Sequence, residues 1–87
     1  MALTARDCSD IRSTLSGKAT NCDYQTVARW LSKAGFEPPR KPEGSHRVWV
    51  HPSGRRVPLV DKGHGPLLPV YAKRAIRAIL ETGACPE

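Results

Sequence analysis

His46 lies in a run of residue types suited to phosphate chemistry, Gly44-Ser45-His46-Arg47, approached through Arg40-Lys41-Pro42-Glu43. A free imidazole, with an ordinary pKa of about 6.5, takes or gives a proton near neutral pH. Gly44 lets a backbone approach a phosphate, and Ser45 offers a hydroxyl donor. Arg40, Lys41 and Arg47 bring positive charge to the same stretch, as an anionic transition state requires. On residue type alone, two readings of His46 stand side by side. It is a general acid–base group, or a strand-start histidine that hydrogen-bonds a turn. His64, in the polar loop Asp61-Lys62-Gly63-His64-Gly65-Pro66, is either a second acid–base group or an exposed loop residue. No carboxylate pair and no His/Cys cluster has ligand spacing, so neither a metal nor another cofactor is expected.

The elements that must position His46 can be read around it. Residues 46–51 alternate as a strand, with His46, Val48 and Val50 on one side and Arg47, Trp49 and His51 on the other. Pro52-Ser53-Gly54 supplies a turn, and Arg55 to Val60 returns as a second strand with Val57, Leu59 and Val60 as its apolar content. The side carrying Arg47 and Trp49 is expected to face solvent or a partner. There Trp49 would stack a base or anchor a protein; a core tryptophan is the alternative. Before the hairpin, Phe36-Glu37-Pro38-Pro39-Arg40 contains two residues without an amide, so it can be at most an edge strand or an extended segment.

Helices frame this hairpin. Asn21 or Asp23 caps a helix whose buried stripe is Val27, Trp30, Leu31 and Ala34, and Gly35 ends it. Pro69 opens a last helix with Ala72, Ile76, Ile79 and Leu80 inward and Lys73, Arg74 and Arg77 outward; Gly83 and Pro86 close it. At the start, Thr4-Ala5-Arg6-Asp7 fits a capping box. Cys8, Ile11 and Leu15 then form a thin stripe on a short helix that leans on the rest, with Gly17 as its stop. The expected architecture is α+β: a small antiparallel sheet of two to three strands with helices on one face, plus an additional N-terminal helix. Residues 1–87 read as one domain, with 1–18 an accessory helix and 21–82 an α-β-β-β-α core.

Composition narrows the function classes. With one Phe, one Met, two Trp and two Tyr in 87 residues, the chain has little material to wall a deep cofactor cavity. Fourteen Lys and Arg against eight Asp and Glu give a net charge of +6, which favours a polyanion because bound phosphates release condensed counterions. Cys8, Cys22 and Cys85 are odd in number and show no C-x-x-C pair, so free thiols in a reducing compartment are expected. No apolar run reaches membrane-spanning length and the N-terminus lacks a signal core, so a cytoplasmic protein is expected.

Gly44-Ser45-His46-Arg47-Val48-Trp49-Val50-His51-Pro52-Ser53-Gly54-Arg55-Arg56-Val57 resembles the HicA family of mRNA interferase toxins. That family opens a strand with Gly-Ser-His and follows it with a His-Pro-Asp/Ser-Gly turn and a basic return strand. Leu31-Ser32-Lys33-Ala34-Gly35-Phe36 looks like the end of the family's opening helix, and 70–80 is similar to its closing helix. The likeness spans about Tyr24 to Leu80. In this chain Pro38-Pro39 and Pro42-Glu43 interrupt the approach to the triplet.

The resemblance implies a double-stranded-RNA-binding-domain-like fold, ribonuclease activity with His46 catalytic, and a HicB-like antitoxin that covers the active site. Arg40, Lys41, Gly44, Ser45, Arg47, Arg55, Arg56, Lys62, His64 and Lys73 are then the expected RNA contacts, mostly to backbone phosphates. A non-catalytic RNA-binding module of the same fold, and an adaptor holding an acidic protein, are the competing readings.

Overall fold

The computed structural model describes residues 3–17, 22–40, 44–61, 63 and 65–85. Among these the chain forms helix α1 (Ala5–Ser16), helix α2 (Tyr24–Lys33), strands β1 (His46–Val50) and β2 (Arg56–Val60), and helix α3 (Pro69–Glu81). The architecture is α+β, with the extra helix placed before the hairpin core as expected. Lys41, Lys62 and His64, with Asn21 and Pro86, lie outside the described residues.

Local chemistry sets each boundary. Thr4 and Asp7 form a reciprocal capping box at 3.0 Å in both directions. Asp23 caps α2 by accepting from the Thr26 amide at 2.8 Å. At the other end of α2, Gly35 takes φ +99, Gly35 N donates to Ser32 O and Phe36 N donates to Leu31 O. This paired closure turns Phe36 back into the core, where it is 3 % exposed. A side chain at Gly35 would be strained at that φ and would also meet the His51 ring, 3.6 Å from an added Cβ. Pro69 opens α3 at a position that needs no amide donor.

The hairpin pairs His46 with Val60, Val48 with Pro58 and Val50 with Arg56 on one face, and Arg47 with Leu59 and Trp49 with Val57 on the other. Its turn is closed by Gly54 N to His51 O and by His51 N to Arg55 O, both 2.8 Å. Pro58 is tolerated because β2 is an edge strand. The expected first strand is reduced to one bridge, Glu37 to Val50, made by Glu37 N to Val50 O at 2.7 Å and its return bond at 3.3 Å. Pro38 and Pro39 stop it there, since neither can donate to a ladder.

Three expectations are corrected. Trp49 is 6 % exposed and belongs to the core with Val27, Trp30, Leu31, Val57, Leu59, Ile76 and Ile79. Its face of the sheet is the one the helices cover, so the opposite face is the open one. Cys8 and Cys85 are joined in a disulfide; among the three cysteines only Cys22 is free, and it is buried. The bond ties α1 to the end of the chain, and Arg12 reinforces it by donating to Cys85 O at 3.2 Å. With Ile11 fully buried, α1 is a contributor to the core rather than a thin prop.

Candidate active site

Because Trp49 points inward, His46, Val48 and Val50 point out, and His46 is exposed at the first position of β1. They form the floor of an open groove of about 470 Å³, whose further lining is Glu37, Pro38, Pro39, Arg40 and Arg56. The bridge at Val50 runs antiparallel, so Arg40 lies toward the His46 end and Glu37 toward the Arg56 end. His46 and the Val50–Arg56 pair are four residues apart along the ladder, about 13 Å.

The backbone leading into His46 is held on several sides. Gly44 adopts φ +57, a left-handed turn where a Cβ costs roughly 1–2 kcal/mol. Arg47 Nη1 donates to Gly44 O at 2.7 Å and to His46 O at 2.9 Å. Arg47 therefore braces the turn and is half-buried, and it does not line the groove. Ser45 O accepts from Asp61 N at 2.7 Å, which fixes Asp61 beside the triplet.

The electrostatics of the groove are uneven. Among the described residues Glu37 is the one carboxylate in its lining, and it pairs with Arg40 at 3.3 Å, with side chains 56 % and 85 % exposed. A pair so exposed contributes about 0–1 kcal/mol, and a phosphate can displace it. Arg56 carries no ion pair among the described residues. No group of three or more metal-ligating side chains occurs among the described residues.

The expected RNA contacts do not share one face. Arg40 and Arg56 lie in the groove with His46. Arg55 and Lys73 lie with Arg74 and Arg77 along α3, where Arg55 pairs with Glu81 at 3.0 Å. That surface belongs to the helix layer, across the sheet from the groove. His51, at the other end of β1, has a structural setting: its ring packs on Phe36 at 5.0 Å, and its Nδ1 accepts from Ser53 N at 3.1 Å. Glu37 and the Pro38-Pro39 wall escaped the sequence reading of the site. The signal for them was the position of this segment beside the central strand.

The groove thus sets a strand-borne histidine on the open face of a small helix-backed sheet, with two arginines along it. The HicA toxin family of bacterial toxin–antitoxin systems matches residues 24–83, and the chain belongs to that family. It is thus a toxin of a toxin–antitoxin system, with α1 preceding the matched region. No curated protein and no solved structure matches closely enough to add to this assignment. No helix among the described residues is long and apolar enough to cross a membrane.

Proposed function

We propose that the chain is an mRNA interferase, an endoribonuclease that cleaves RNA without a metal and uses His46 as its acid–base group. Attack of a ribose 2′-oxygen on the adjacent phosphorus breaks the bond to the 5′-oxygen. A proton leaves the 2′-hydroxyl and another reaches the departing 5′-oxygen, giving a 2′,3′-cyclic phosphate and a 5′-hydroxyl. His46 performs one of these transfers. Arg40, at the same end of the groove, offsets charge on the pentavalent phosphate, and Arg56 holds a phosphate farther along. His64, three residues after Asp61, is the partner proposed for the second transfer. Gly44 and Ser45 bind the phosphate at the start of β1, and Lys41 and Lys62 add charge around it. A HicB-like antitoxin covers this groove, and both act in the cytoplasm, where the Cys8–Cys85 bond is open to reduction.

The exposure of His46 on a cation-flanked open groove is the observation that carries this reading, beside family membership. The test is incubation of RNA with wild type and His46→Ala in EDTA, followed by end-group analysis. Cyclic-phosphate products from the wild type alone are expected. Retained RNA binding with no cleavage by either protein would leave the non-catalytic binding module instead.

A further inference from the structure

A surface that recognised only phosphates would need cations and donors. The groove beside His46 offers more: two prolines on one wall and two valines on the floor, between Arg40 and Arg56. Val48 and Val50 are half-buried, and Pro39 is half-buried beside the more exposed Pro38. The volume, about 470 Å³, falls in the range of roughly 300–1,000 Å³ typical of small-ligand sites. An aqueous phosphate gains nothing from such walls, whereas the apolar face of a nucleobase gains by burial against them. In a duplex the bases are stacked and paired away from a protein surface, so only an unpaired base can enter.

We propose that this groove is a base slot, in which one unstacked nucleobase beside the scissile phosphate lies against Pro38, Pro39, Val48 and Val50. The substrate is therefore single-stranded RNA. Arg40 and Arg56 mark the course of its backbone, and the base between them sets the register of the cut relative to His46. The slot exists because Pro38 and Pro39 end the edge pairing after one bridge. A continuous third strand would put its own ladder where the base goes. The proposal rests on the ribonuclease reading, since it gives that reaction its substrate class.

The experiment uses full-length His46→Ala, which leaves RNA intact during titration. Affinities are measured for a short single-stranded RNA, for the same strand annealed to its complement, and for both after adding Val48→Lys. Tighter binding of the single strand by about tenfold is expected, with about tenfold of it lost in the Val48→Lys variant. The new lysine adds positive charge, so duplex binding through phosphates should hold or rise. Equal affinity for the two forms in the parent would overturn the slot without reference to any groove variant. So would a rise of both affinities together in the lysine variant. Cleavage by the wild-type protein is scored separately: its absence with the single-strand preference intact removes the ribonuclease reading and leaves the slot. Robust cleavage with no preference removes the slot alone.

Discussion

The indole Nε1 of Trp49 donates to the Tyr24 hydroxyl at 3.1 Å, joining the middle of β1 to the first turn of α2. Side chains alternate along a strand, so this inward bond also directs His46, three residues earlier, outward. The orientation of the proposed catalytic imidazole is thus decided by a residue on the opposite face.

Removing that anchor should separate packing from chemistry. Tyr24→Phe loses one part-buried hydrogen bond and should cost about 0.5–1.5 kcal/mol in urea denaturation. Trp49→Ala leaves a cavity under the sheet and should cost about 3–5 kcal/mol. RNA cleavage by Tyr24→Phe, assayed well below its unfolding midpoint, should match wild type. A large loss of cleavage there would show that the strand face depends on this bond and not on the whole core.

The disulfide should be among the larger single contributions to stability. Cys8 and Cys85 are 77 residues apart, so the bond closes nearly the whole chain into one loop. The chain-entropy account gives about 4.5 kcal/mol for such a loop, with measured bonds usually about 2–4. Cys8→Ser or addition of a reductant should lower Tm by on the order of 10–20 °C. Cys22 makes the internal comparison. Burial, with a smaller effect of the neighbouring Asp23 carboxylate, pushes its thiol up to about 11. It should therefore resist alkylation at pH 8 until the chain unfolds.

Much of the frame was legible because its signals are local. The Thr4–Asp7 box, the Asp23 cap, Gly35 followed by a buried Phe36, and Pro69 each act within one turn of chain. The inward face of β1 was not, because Val48 and Val50 on one side and Trp49 on the other weigh about equally as apolar stripes. The answer lies across the hairpin. The turn length sets a register that opposes Trp49 to Val57 and Arg47 to Leu59, while Arg56 and Pro58 oppose the valines. Counting back from the turn would have found it. The disulfide offered no such route, since spacing does not pair two cysteines at opposite ends of a chain.

Acid should weaken the protein at two of its helix caps. The Thr4 amide, and after it the Lys33 ammonium 3.1 Å away, hold the Asp7 carboxyl below the ordinary carboxylate range. The hydroxyl and amide of Thr26 do the same for Asp23. A carboxyl whose folded pKa is depressed contributes stability that is fully present above its unfolded value of about 3.9. That contribution is lost as the pH falls through the lower folded value. Unfolding free energy should therefore be flat with respect to these groups above about pH 5 and decline below pH 4. Asp23→Asn keeps a good cap and should flatten the decline, whereas Asp23→Ala should cost about 0.5–2 kcal/mol at neutral pH.

Glu37 should be a brake on RNA binding. Its backbone holds the groove wall through two bonds to Val50, which a side-chain change leaves in place. Its carboxylate is negative where phosphates are to bind, and it occupies Arg40 in an exposed pair. Such a pair gives little to stability, so Glu37→Gln should leave the unfolding midpoint within the effect of about 0.5 kcal/mol usual for a surface change. Affinity for single-stranded RNA should rise about two- to fivefold, the equivalent of 0.5–1 kcal/mol, and fall more steeply with added salt. The same change should leave a phosphate contact on α3, at Arg74 or Arg77, untouched. Arg40→Ala in the Glu37→Gln background should then abolish the gain. If the gain survived that second substitution, Arg40 would not be the cation that Glu37 restrains.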